Sequence, residues 1–143
     1  MKAVVFLALI LLGGGCRSIK KPAGPPDYVV RMEVTGYCDC QQCTGWKRSF
    51  WKLGAPVYAS GPQKGKRKKV GQTASGTQAR KGTIAADTRH LPMGTRLYVP
   101  GYGMGIVEDR GGAIKGKRLD LFFPSHKEAL EWGRQWVDVQ IWR

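Results

Sequence analysis

Acidic side chains are scarce in this sequence: ten Asp and Glu stand against 24 Lys and Arg, a formal net charge of +14 over 143 residues. None of the acids lies between Thr44 and Ala86, a stretch with ten Lys and Arg, including the run Lys64-Gly65-Lys66-Arg67-Lys68-Lys69. Such an imbalance disfavours cationic partners and implies a polyanion. Long hydrophobic runs are also missing. The longest, Ala3 to Leu12, is too short to cross a hydrocarbon core of about 30 Å, which excludes a membrane-spanning helix there. Histidine occurs only as His90 and His126, and neither lies near a cysteine in sequence to activate a thiolate.

What is present at the start is Met1-Lys2, the apolar segment, and Gly13-Gly14-Gly15 before Cys16. Residues 1–16 read as a secretory signal and resemble that of a bacterial lipoprotein, with Cys16 the lipid-bearing residue and Gly13 where Leu is usual. An acyl chain at Cys16 would hold the protein on a membrane of the cell envelope without spanning it. Residues 17–27, RSIKKPAGPPD, read as an extended tether. Export removes nucleic acid as the polyanion and leaves cell-wall carboxylates, phosphate-bearing polymers or anionic headgroups. The basic insertion around residues 47–81 reads equally well as a binding element or as a flexible, solvated loop. Trp46 and Trp51 within it either stack on sugar rings or pack in a loop-rich lobe.

Residues 28–143 suffice for one compact domain. Alternation of Val30, Met32 and Val34 with Arg31, Glu33 and Thr35 predicts a half-buried strand over Tyr28 to Tyr37. Similar patterns predict strands at Thr83–Asp87, Thr95–Pro100, Gly105–Asp109, Arg118–Phe123 and Trp136–Trp142, with a capping box at Ser125 and Glu128 opening one short helix through Trp132. Six strands with one helix suit a small closed all-β barrel. Between the first strand and the insertion lie Cys38, Cys40 and Cys43. They suit a structural staple with one disulfide and one thiol left over, or a soft-metal site completed by His90 or His126.

The chemistry is expected between Thr83 and Phe123, where Asp87, Asp109 and Asp120 sit in or at the ends of strand-like segments. A carboxylate in a partly apolar strand loses hydration. It must pair with a cation, collect hydrogen bonds, or hold a proton through a raised pKa. The first two outcomes are structural and the third is catalytic.

The runs TASGTQARKGTIAAD, LPMGTRLYVPGYG and VEDRGGAIKGKRLDLFFPSHKEAL, preceded by YCDCQQCTGW, resemble the 3D domain, a bacterial cell-wall family named for three aspartates. The resemblance implies a six-stranded double-psi β-barrel related to the catalytic barrel of the membrane-bound lytic transglycosylase A family. It places Asp120 as catalytic acid and Asp109 on the first aspartate of the motif, with Asp87 in support. Arg110, where those enzymes usually have Thr, would hold the neighbouring Asp109 ionised or clamp a substrate carboxylate; Gly111, Gly112, Lys115 and Gly116 complete the expected glycan contacts. The implied reaction cuts peptidoglycan between N-acetylmuramic acid and N-acetylglucosamine with a 1,6-anhydro product, and needs no cofactor or catalytic metal. The alternative is a non-catalytic peptidoglycan-binding lipoprotein module. Those transglycosylases hold glycan between the barrel and a second domain, so a partner protein completing the groove is a further expectation.

Overall fold

A computed structural model describes residues 19–143; the signal sequence expected at 1–16, the lipidation expected at Cys16 and the first residues of the expected tether lie outside the described residues. Six strands close into a barrel in the order β1, β7, β4, β6, β5, β8. They are β1 (Tyr28–Tyr37), β4 (Thr83–Ala86), β5 (Arg96–Val99), β6 (Gly103–Asp109), β7 (Arg118–Phe122) and β8 (Arg134–Trp142). β2 (Trp46–Ser49) and β3 (Ala55–Tyr58) form a separate two-stranded sheet. β1 runs parallel to β7 and β4 parallel to β6, while the remaining barrel neighbours are antiparallel. Closure by the long β1–β8 pairing leaves no free barrel edge.

Alternation decides which side chains enter. Met32 and Val34 of β1, Leu119 and Leu121 of β7, Leu97 and Val99 of β5, Val107 of β6, and Val139 and Ile141 of β8 are all buried in one cluster. The residues between them on β1 and β7, Thr35, Tyr37, Asp120 and Phe122, therefore point outward. There Tyr37 and Phe122 join Ala85 and Ile114 in a second, smaller apolar cluster, which becomes the floor of a cleft. The helix α2 (His126–Trp132) starts on the expected reciprocal capping box of Ser125 and Glu128 and ends at Gly133. The small all-β barrel with one short α2 thus matches the expectation.

The basic insertion is structured. β2 and β3 pair over Trp46–Ser49 and Ala55–Tyr58, and bridges at Val57–Arg67 and Gln72–Gln78 carry the fold onward. A short helix α1 (Gln41–Thr44) precedes them. Nor does the described part of the tether stand free. Trp142 Nε1 donates to Gly24 O at 3.4 Å, Asp27 N donates to Ile141 O at 2.9 Å, and Lys21 Nζ lies 5.4 Å above the Trp142 ring. Extended Pro-rich backbone with free carbonyls suits this role along a strand. Among the described residues no helix is long and apolar enough to cross a membrane.

One close approach ties the cleft strands together. Ile106 N donates to Gly82 O at 2.8 Å, and a Cβ on Gly105 would meet Gly82 O at 2.8 Å and Ile84 Cδ1 at 2.4 Å. Gly105→Ala is expected to lose about 1–3 kcal/mol, the usual cost of overpacking, measured as a lower urea midpoint with an unchanged m-value.

Candidate functional site

Three adjacent strands place Asp109 and Asp120, two of the three aspartates that line the cleft; the third is Asp39. Ala85 of β4 pairs with Asp120 of β7 on one side and with Asp109 of β6 on the other. The second pairing depends on a register shift between Ile84 and Ala85. That bulge brings Asp109 rather than Glu108 opposite Ala85, the re-aiming that bulges next to functional sites provide. Two strand spacings separate the backbones of Asp109 and Asp120, roughly 9–10 Å. Between them stands only a methyl group, so the floor is flat and open.

Asp120 has fewer partners than Asp109. Its Oδ1 accepts a hydrogen bond from Thr35 Oγ1 at 2.9 Å, and Thr35 sits directly across from it on β1. Burial pushes its pKa up to about 6; the Thr35 hydrogen bond works against that rise and the charge of Asp109 adds to it. Asp109 is different. Its Oδ1 accepts from the backbone N–H groups of Ala74 and Arg110, each at 2.9 Å, and its Oδ2 from Tyr37 OH at 3.0 Å. Burial and then Asp109 hold the Tyr37 phenol well above its ordinary pKa, so it stays a donor. Three donors thus fix the position of the Asp109 carboxylate.

Asp87 takes the remaining outcome. It is buried and bound in a fork by Arg89, with Nε to Oδ1 at 2.9 Å and Nη2 to Oδ2 at 2.7 Å, while Gly116 N donates to Oδ2 at 2.9 Å. The Arg89 hydrogen bonds, then that of Gly116, hold its pKa well below the ordinary carboxylate range. Asp87 and Lys115 line a separate hollow on the far side of the 110–116 loop, so the structure does not bring either into the cleft with Asp109 and Asp120. Asp87 acts on the cleft through Gly116, by fixing the end of that loop. A depressed folded pKa gives stability that is present above the ordinary carboxylate pKa and lost as pH falls through the folded value. Asp87→Asn is therefore expected to lower Tm by several degrees at neutral pH, and the gap to narrow on acidification, followed by thermal melts across pH.

The cleft, about 900 Å³, is lined by Asp109, Asp120, Tyr37, Ala85, Arg110, Gly111 and Gly112 on the barrel side, and by Thr44, Arg67, Lys68, Gln72 and Thr73 from the insertion side. Arg110, Gly111 and Gly112 border both hollows. Gly116 serves Asp87 and lies outside the cleft lining. Sequence reasoning passed over Thr35, Tyr37 and Lys68. The outward-facing polar positions at the end of β1 were a readable signal for the first two, but Lys68 is one of many similar lysines. Its ammonium donates to Thr44 O and lies 5.0 Å from the Tyr58 ring centroid, and burial lowers its pKa. The two insertion tryptophans part company. Trp46 Nε1 donates to Asp39 O at 2.8 Å, whereas Trp51 is 92% exposed at the hairpin tip beside Phe50 and Leu53, so the packing alternative fails for Trp51.

The cysteines converge on one point. Among the described residues all three are free, and His126, at the first position of α2, joins them. His90 is elsewhere, its carbonyl accepting from Arg143. His126 Nδ1 lies 3.4 Å from Cys43 Sγ, 3.5 Å from Cys40 Sγ and 3.8 Å from Cys38 Sγ, with Cys38 and Cys43 sulfurs 3.6 Å apart.

Residues 82–143 match the family model described as the 3D domain. The cell wall-binding protein YocH of Bacillus subtilis (strain 168) is 41% identical over 75 residues, covering 50% of this chain and 26% of that protein. YabE of the same organism is 39% identical over 75 residues, covering 50% of this chain and 18% of YabE. The chain thus spans about a quarter or less of the curated relatives it matches. Among solved structures, MltA from E. coli matches with a TM-score of 0.42 and 24% identity, over 49% of this chain and 26% of that chain. E. coli MltA with bound chitohexaose matches with 0.42 and 21%, over 49% and 27%. The segment that matches the 3D domain model, residues 82–143, supplies β4 to β8 and the aspartates Asp87, Asp109 and Asp120.

Proposed function

We propose that the protein is a peptidoglycan lytic transglycosylase that cuts the β-1,4 bond between N-acetylmuramic acid and N-acetylglucosamine and leaves a 1,6-anhydromuramic end. The observation that carries this reading is the pairing of unlike carboxyls in one cleft: Asp120, half-buried with a pKa of about 6, and Asp109, held by three donors. The raised Asp120 suits the role of acid, and the hydrogen-bonded Asp109 that of charge stabiliser. The protonated Asp120 gives its proton to the glycosidic oxygen as the bond to the anomeric carbon breaks. The resulting carboxylate takes the proton of the muramyl 6-hydroxyl as that oxygen closes on the same carbon. One carboxyl serves both steps and no water is consumed. Asp109 offsets the positive charge that develops on the sugar ring. Arg110 and Lys68 meet the carboxylates of the muramyl lactyl group and stem peptide. The insertion acts as the second wall of the groove, and the tether with a lipid on Cys16 keeps the enzyme near its substrate in the envelope.

A second reading has its own support: YocH, with which this chain shares 75 aligned residues, is named a cell wall-binding protein, and a cleft of this kind can hold glycan without cutting it. The test is to incubate the purified protein with purified peptidoglycan, alongside Asp120→Asn, and identify released fragments by mass spectrometry. Fragments ending in 1,6-anhydromuramic acid from the wild type alone support the enzyme. Reducing ends mean attack by water. No release despite co-sedimentation with the wall favours the binding module.

A further inference from the structure

We propose that Cys38, Cys40, Cys43 and His126 form a structural zinc site that clasps the insertion to the barrel. The first argument is metrical. With Zn–S near 2.3 Å and Zn–N near 2.0–2.1 Å in a tetrahedron, ligand atoms stand about 3.8 Å apart for two sulfurs and about 3.6 Å for sulfur and nitrogen. The observed separations are 3.6 Å for Cys38 and Cys43, and 3.4, 3.5 and 3.8 Å from His126 Nδ1 to the three sulfurs. All four ligand atoms lie within 4.8 Å of one another, which suits a single ion.

The second argument is local backbone. Cys40 and Cys43 have the two-residue spacing common at zinc sites. Cys40 caps α1, its sulfur accepting the Cys43 N–H at 3.5 Å, so the turn presents both sulfurs to one side. Cys38 follows directly on the end of β1, and His126 opens α2 just after β7. The site therefore joins parts of the chain more than eighty residues apart, and the capping box of Ser125 and Glu128 fixes the start of α2, where His126 stands. Three sulfurs and one nitrogen fill a tetrahedron, leaving no open position for substrate, so the metal is structural.

The consequence lies in the neighbouring cleft. Gln42, Cys43, Thr44 and Gly45 form part of its wall, and Ala59 N donates to Gly45 O at 3.0 Å, passing the position of α1 on to the β2–β3 hairpin. Zinc thus sets how the insertion wall stands against the outward face of β1 and β7. The proposal is independent of whether the cleft cuts glycan or only binds it.

The test uses the full chain loaded with one equivalent of zinc under reducing conditions and then desalted. Zinc is measured by plasma emission, and reactive thiols are counted before and after a strong chelator. The expected result is one zinc retained per chain, three further thiols exposed by chelation, and a fall in Tm on metal removal. Cobalt in place of zinc should show the visible bands of a tetrahedral thiolate site. Cys40→Ser and His126→Ala should drop retained zinc from one equivalent to a small fraction, while His126→Cys, which restores four ligands, should keep it. Wild-type protein that retains no zinc, that has the three thiols equally reactive with zinc present, or that carries a Cys38–Cys43 disulfide instead of metal overturns the proposal. So does undiminished zinc in folded Cys40→Ser. If the variants do not fold, the wild-type stoichiometry and chelation decide.

Discussion

Asp120→Asn is expected to abolish release of anhydromuropeptides, by at least roughly a hundred-fold, while making the folded protein more stable at neutral pH. The first half follows from the acid role, since general acid catalysis by a placed side chain is worth about 10²–10⁴ in rate. The second half follows from linkage. Asp120 has a folded pKa of about 6 against about 3.9 in an unfolded chain, so the folded state binds the proton more tightly. Its contribution to stability is fully present below the unfolded pKa and is lost as pH rises through about 6. Above that, the ionised, half-buried carboxylate costs on the order of 2–3 kcal/mol. Asparagine has nearly the same shape, can still accept from Thr35 Oγ1, and does not ionise. Thermal melts should therefore show the variant and wild type alike near pH 4 and the variant more stable near pH 7.5. Wild-type cleavage itself should decline as pH rises through about 6. Cleavage retained by a folded Asp120→Asn would remove this residue from the acid role. An identical Tm gap at both pH values would mean that Asp120 is well solvated.

Asp109→Asn should cut the rate by roughly 10²–10³, the range seen when one preorganised electrostatic stabiliser is lost, and should also move the pH profile. The charge of Asp109 helps to raise the pKa of Asp120. Neutralising it lowers that pKa, so the alkaline limb of the remaining activity shifts to lower pH. The fold is expected to survive. Asparagine Oδ1 can still accept from Ala74 N and Arg110 N, and the Tyr37 hydroxyl can accept from the amide in place of donating to Oδ2. A reduced rate with an unmoved limb would separate the two residues electrostatically and leave Asp109 as a purely structural hub for the 74 and 110 loops. Wild-type activity in this variant would exclude it from stabilising the transition state.

The three aspartates show where local pattern stops being informative. Each sits in or beside an apolar run, and from that position alone each has the same three choices: a cation, hydrogen bonds or a proton. Asp87 finds Arg89 two residues on; Arg89 was visible in sequence, but its fork geometry was not. Asp109 gathers donors from Tyr37 and Ala74, 72 and 35 residues away. Asp120 is left with one hydroxyl, Thr35, 85 residues away. The sorting into clamped, multiply hydrogen-bonded and half-buried carboxyl is thus done by register between strands. A single bulge between Ile84 and Ala85 determines that Asp109 faces Asp120 across the floor.

By itself the sequence determined the barrel's inventory. Alternation of Val30, Met32 and Val34, the apolar runs around Asp87 and Asp120, and the Ser125–Glu128 cap specify strands and a helix through interactions between near neighbours, and those elements appear within one or two residues of expectation. The order of strands around the barrel, the folding of the lysine-rich insertion into a hairpin and cleft wall, and the meeting of His126 with Cys38, Cys40 and Cys43 were decided only in three dimensions. The physical reason is range. Backbone propensity and side-chain period act over a few residues, whereas pKa, ion pairing and metal geometry depend on which distant side chains the closed sheet brings within a few ångströms.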